Sequence, residues 1–177
     1  MNQIEQVVEF FRSNTPDINE HLDTLTRLAE ECEAVTEFGF RWGASASALI
    51  KGKPAKFTTY DLVIPIECRD LINSAKGETW TQFNEASILD VEIEPCDLLF
   101  IDTLHTYKQL KQELEKHAEK AKKYLVFHDT HTYRHKGEDG TEKGLYDAIQ
   151  EYIADHPHWI IHFDHQNNNG LLALRRI

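Results

Sequence analysis

The chain has 177 residues, 41% of them hydrophobic, and a formal charge of -11 at neutral pH. That length supports one packed core with little material left for a second, and the acidic balance argues against a nucleic-acid backbone as the main partner, because such binding needs clustered Lys and Arg to displace counterions. No apolar run reaches the roughly 20 residues that span a bilayer, and the start Met1-Asn2-Gln3-Ile4-Glu5 has neither the basic region nor the apolar core of a secretory leader, so no membrane contact and a cytoplasmic location are expected. In chain order, Ile4, Val7, Val8 and Phe11, then Leu22, Leu25, Leu28 and Ala29, recur at helical spacing. They predict two leading amphipathic helices over 4–12 and 18–32, with Asp17 placed to cap the second. A strand over 34–38 follows, then a turn carrying Gly39 and Gly43, then a helix of small residues over 44–50 closed by Gly52. Residues 56–60 read as a second strand ending at Asp61, 65–75 as a helix stopped by Gly77, and 79–83 as a short third strand.

The next two runs are Leu98-Leu99-Phe100-Ile101-Asp102-Thr103-Leu104-His105 and Tyr124-Leu125-Val126-Phe127-His128-Asp129-Thr130. Each is a short apolar strand that ends in acid and imidazole. The helical spacer over 107–122 makes them the two strands of a crossover unit, parallel and in one sheet. A helix over 145–154 and two closing strands, 159–165 and 171–177, around the turn at 166–170 complete the series. Alternating strands and helices predict an α/β fold: a doubly wound, mostly parallel seven-stranded sheet preceded by two helices, with ligands bound outside the carboxyl ends of the strands. One domain is expected over 1–177, residues 1–33 forming the leading helices and 34–177 the core. Cys32, Cys68 and Cys96 are scattered and odd in number, and read as free thiols. Without coiled-coil heptads, a monomer and a homo-oligomer both remain open.

Neighbouring strands lie roughly 4.8 Å apart, so Asp102 and Asp129 can converge on one small cation. Each residue also has a plainer use: Asp102 as the cap of the following helix, Asp129 as the start of a turn, His105 as a solvated first-turn residue, and His128 as a ligand, a group behind the ligands or a loop cap. Two carboxylates suit Mg²⁺, and an imidazole from His128 tilts the set toward Mn²⁺, Fe²⁺ or Zn²⁺. Upstream, Glu37-Phe38-Gly39-Phe40-Arg41-Trp42-Gly43-Ala44-Ser45 joins a strand to a helix through spaced glycines that permit close approach of a ligand. Asp61 follows roughly 20 residues on.

The Glu37–Ser45 stretch resembles the first motif of class I methyltransferases. The later segments Phe100–Tyr107, Phe127–Thr130, Gly144–Ile149 and Asn168–Leu171 look like the branch of that family containing metal-dependent macrolide and sugar O-methyltransferases and cephalosporin-hydroxylase-like proteins. The resemblance runs from about residue 35 to the C-terminus and implies a Rossmann-like fold. It implies S-adenosylmethionine held by Glu37, Gly39, Phe40, Gly43, Ser45 and Asp61, with Ser87 near the adenine. It further implies a divalent metal on Asp102 and Asp129, and His105 as general base. Two positions depart from the pattern: Arg41 stands where many members have Gly, and His128 where an acid is usual. The implied acceptor is a small-molecule hydroxyl, as on a sugar or polyol. The sulfonium is already a strong electrophile, so the protein must mainly align the oxygen and remove its proton. A metal-dependent hydrolase of a phosphate ester and a non-catalytic cofactor-binding or assembly module are the alternatives.

Overall fold

Strands that are buried on both faces belong in the middle of a sheet, and Val35, Phe57, Leu98, Leu99, Phe100, Leu125 and Val126 are all at most 1% exposed. The computed structural model, which describes all of residues 1–177, places them there. Seven strands, β1 (Ala34–Phe38), β2 (Lys56–Asp61), β3 (Trp80–Glu85), β4 (Cys96–Ile101), β5 (Ala121–His128), β6 (Trp159–His165) and β7 (Leu171–Arg176), run in the order β3-β2-β1-β4-β5-β7-β6. All pairings from β3 to β5 are parallel, and β7 is antiparallel to both β5 and β6. The winding reverses between β1 and β4, which pair Phe38 with Ile101 at their carboxyl ends. Ligands bind at such a switch point.

Helices cover both faces. On one, α3 (Ala44–Lys51) packs against both α1 (Gln3–Asn14) and α2 (Leu22–Glu30), and α4 (Ile66–Ala75) lies against α1. Their core is continuous with Val35, Phe57, Phe100 and Val126. On the other, α5 (Tyr107–His117) and α6 (Leu145–Asp155) enclose Phe38, Leu99, Ile101, Leu125 and Phe127. Strand residues thus alternate between two cores.

The predicted elements are present, with shifts that have local causes. The second leading helix starts at Leu22 after a 3₁₀ turn over Asn19–His21, and Asp17 caps nothing; its carboxylate pairs with Arg41 instead, at 2.5 Å. Helix α5 stops at His117, and the chain passes through a 3₁₀ turn into β5 at Ala121. Lys122 and Lys123 are exposed on that strand's first turn out of the core, so their polarity disguised it as helix. The third strand runs Trp80–Glu85 rather than 79–83; as an edge strand with one solvated face it has little apolar signal to mark its ends.

Candidate active site

The loop leaving β1 is fixed by glycine geometry. Gly39 has φ +91° and its α-carbon faces the main chain of Asp102, while Gly43, at φ +90°, is the N-cap of α3. Asp61, at the end of β2, holds the same loop: its Oδ2 accepts from the Phe40 and Arg41 amides, both at 2.8 Å, and its Oδ1 from Leu62 N at 2.7 Å. A cavity of about 450 Å³ opens beside this loop. Gly39, Arg41, Asp61, Ser87, Asp102, His105 and Glu138 all contribute to its lining. It spans the carboxyl ends of β1, β2 and β4 at the reversal of winding.

Glu37, Phe40, Gly43 and Ser45, expected at the cofactor, do not line this cavity. Glu37 is fully buried and accepts from Ser45 Oγ at 2.6 Å and Thr59 Oγ1 at 2.7 Å, which ties β1 to β2 and α3. Burial pushes its carboxyl up to about 8, against the opposing hydrogen bonds from Ser45 and Thr59. Neither Glu37 nor Ser45 lines the cavity. Phe40 is likewise buried, packing edge-on against Phe83, so it offers the loop its main chain.

The strand ends β4 and β5 do converge. Ligand atoms of Asp102, His128 and Asp129 lie within 4.8 Å of one another. Asp102 is free for this, because the cap of α5 is Thr106, whose hydroxyl accepts from Gln109 N. Asp129 adopts φ +59°, a left-handed conformation that Asp tolerates better than most residues. His105 joins them: its Nε2 is 3.2 Å from Asp102 Oδ1 and 2.9 Å from Asp129 Oδ2, its Nδ1 is 3.1 Å from Glu138 Oε2, and its ring stacks on Tyr133 with centroids 4.9 Å apart.

His128 is almost fully buried, with Nδ1 3.4 and 3.5 Å from Asp102 Oδ2 and Asp129 Oδ2. Those distances give charge attraction without an aligned hydrogen bond, and neither ring nitrogen has a hydrogen-bond partner. Burial disfavours the charged imidazoles, but the two carboxylates outweigh it and hold both His105 and His128 well above the ordinary histidine range. The same imidazoles keep Asp129 below the usual carboxylate range despite its burial.

Three neighbours of the site come from outside the two strand-end motifs. Glu138 and Tyr133 reach His105 from the connection between β5 and α6. His21 is buried edge-on to His128, with ring centroids 5.8 Å apart, and its Nε2 lies 3.0 and 3.2 Å from the Asn167 and Asn168 carbonyl oxygens. Within that connection, Arg134 and His135 turn away from the site to pair with Asp164 and Asp147. His117, on a helix face rich in charge, is buried as a packing residue, its Nε2 2.7 Å from the Ile88 carbonyl oxygen.

Sheet order, cavity and strand-end residues together define the fold of the class I methyltransferases. Solved structures agree. The O-methyltransferase from Bacillus cereus in complex with SAH matches 98% of this chain and 89% of its own at TM-score 0.70 and 14% identity. The SAH-bound Podospora anserina methyltransferase PaMTH1 matches 100% and 88% at TM-score 0.68 and 14% identity. The N-methyltransferase NodS from Bradyrhizobium japonicum, bound to S-adenosyl-L-homocysteine (SAH), matches 99% of both chains at TM-score 0.66 and 17% identity. No protein-family model and no curated protein sequence matches the chain. Solved structures with this fold thus include both an O-methyltransferase and an N-methyltransferase.

Proposed function

We propose that the protein is an S-adenosylmethionine-dependent methyltransferase acting on a small-molecule hydroxyl, such as that of a sugar or polyol, with a divalent metal at the acceptor site. The observation that carries this reading is the convergence of Asp102, His128 and Asp129 beside a cavity whose other walls are the Gly39 loop, Asp61 and Ser87. The donor set fits a divalent cation: two carboxylates and a buried imidazole with no hydrogen-bond partner. Mg²⁺ suits the carboxylates, and His128 favours Mn²⁺ or another transition metal. Such an ion would hold the acceptor hydroxyl and lower its pKa.

The protein's own residues supply the rest. Asp61 and the Gly39 loop line the cavity in which a nucleoside would lie. His105 lies between the two carboxylates, which raise its pKa in this geometry; with Asp102 and Asp129 engaged by a cation, its Nε2 would be placed to accept the proton of the acceptor. A phosphate-ester hydrolase is less well supported, since Arg41 is the one Lys or Arg lining the cavity and it is already paired with Asp17.

The test is calorimetric titration with S-adenosylmethionine and with SAH, before and after addition of Mg²⁺ or Mn²⁺, followed by an acceptor screen that detects SAH release. Saturable binding and metal-stimulated SAH release with a hydroxyl compound are expected. No cofactor binding under any of these conditions would overturn the reading.

A further inference from the structure

Glu138 touches His105 in three ways, and the connection that carries it does not need all of them. Its amide donates to the His105 carbonyl oxygen at 3.0 Å. Its Oε1 accepts from the His105 amide at 3.2 Å, and its Oε2 lies 3.1 Å from His105 Nδ1. The turn that presents it is held by other residues: Gly137 N donates to Thr141 O, and Asp139 Oδ1 accepts from both Thr141 N and Thr141 Oγ1. The Glu138 side chain is thus released from the turn and lines the cavity next to Asp102 and His105.

An imidazole in a site needs more than one contact to fix its plane and its tautomer. Here Tyr133 stacks on the ring at an interplanar angle of 2°, which fixes the plane. The carboxylate on Nδ1 holds a proton there, so Nε2, which donates to Asp102 and Asp129 in this structure, is the nitrogen left to exchange a proton with the acceptor once those carboxylates are engaged by a cation. Nε2 faces the gap between Asp102 and Asp129, where the proposed acceptor oxygen would be held. We propose that Glu138 is a positioning residue for this reaction, acting through His105. The inference rests on the methyltransferase reading above for its kinetic consequence, but its structural content is independent of it.

The main-chain bond from Glu138 to the His105 carbonyl survives any side-chain change, so substitution separates orientation of the ring from attachment of the connection. The experiment compares the full-length protein with Glu138→Ala and Glu138→Gln. Nitrogen-detected NMR follows the His105 ring, while SAH affinity, thermal midpoint, and kcat and KM for an acceptor found in the screen follow the rest. In Glu138→Ala, the hydrogen-bonded Nδ1–H signal of His105 should disappear, and kcat should fall about tenfold to a hundredfold, a larger factor than any loss of SAH affinity, with the thermal midpoint nearly unchanged. Glu138→Gln, which keeps one acceptor oxygen, should restore part of both.

An unchanged His105 ring and kcat in Glu138→Ala would overturn the proposal. So would a joint fall in kcat and thermal midpoint that Gln does not rescue. If the wild-type protein binds SAH and transfers no methyl group to any hydroxyl, the acceptor reading fails, and the His105 ring signal alone then decides whether Glu138 sets the imidazole.

Discussion

Gly39 lies directly against the main chain of Asp102: a Cβ built on Gly39 would fall on the Asp102 carbonyl oxygen, and the Asp102 amide donates to Phe38 O at 2.9 Å. The loop after β1 and the first residue of the strand-end cluster are therefore one packed unit. Gly39→Ala meets both a backbone clash and a left-handed φ, and should cost roughly 3 kcal/mol or more, with loss of SAH binding. Gly140→Ala is the control: its φ is +82° but nothing lies within 4 Å, so it should cost only about 1–2 kcal/mol. Urea unfolding of the two variants measures the difference; equal costs would mean that Gly39 is not pressed against Asp102.

Asp102 and Asp129 each face two imidazoles, and in the proposed site both also face the cation. Asp102→Asn and Asp129→Asn retain size and remove charge, and each should weaken Mn²⁺ binding at least about tenfold. Thr106 caps α5 in either variant, so its start should remain helical. Titration followed by Mn²⁺ electron paramagnetic resonance reads the affinity directly. Undiminished Mn²⁺ binding in the double variant would remove these residues as ligands.

How much of this was legible in the sequence follows from where each signal is stored. β4 and β5 stand out because they are buried on both faces and stop abruptly at charge, so Asp102, His105, His128 and Asp129 could be placed together from the chain alone. Glu37 was recognised as a strand-end acid, but side chains alternate along a strand. Glu37 shares the face of Val35, under α3, which sends its carboxyl to Ser45 rather than into the cavity. His117 falls on the same helical face as Leu110 and Leu114; that spacing marked it as buried, and the surrounding lysines obscured it. Glu138 lies 33 positions from His105, and His21 lies 146 from Asn167. No periodicity encodes such pairs, since they are made only when loops meet over a finished sheet.

The buried Glu37 carboxyl gives stability a defined pH dependence. Its folded value of about 8 lies above the ordinary 4.5, so the folded chain keeps a proton that the unfolded chain releases. Below about pH 4.5 both states hold it and the effect vanishes. As pH rises from there to about 8, stability should fall, by at most about 1.4 kcal/mol per pH unit. Glu37→Gln removes the ionisation, so the difference in unfolding free energy between variant and wild type should grow in the variant's favour across that window. SAH affinity should be unchanged, because Glu37 does not reach the cavity. A flat difference curve would show that the carboxyl ionises normally, and a loss of SAH affinity would return Glu37 to the cofactor.

Asp61 is the harder case, because one carboxylate has two uses. Its bonds to the Phe40, Arg41 and Leu62 amides shape the loop, and its place on the cavity wall suits the ribose hydroxyls of the proposed cofactor. Hydrogen bonds to a charged group contribute about 1.5–3 kcal/mol each, so Asp61→Asn should weaken SAH binding about tenfold to a hundredfold. The two uses separate in a cycle with SAH and its 2′,3′-dideoxy analogue. If Asp61 holds the ribose, wild type prefers SAH strongly and Asp61→Asn scarcely distinguishes the two ligands. If Asp61 only shapes the loop, both ligands weaken equally and the preference persists. Calorimetry on the four combinations decides which bond the carboxylate gives up when the cavity fills.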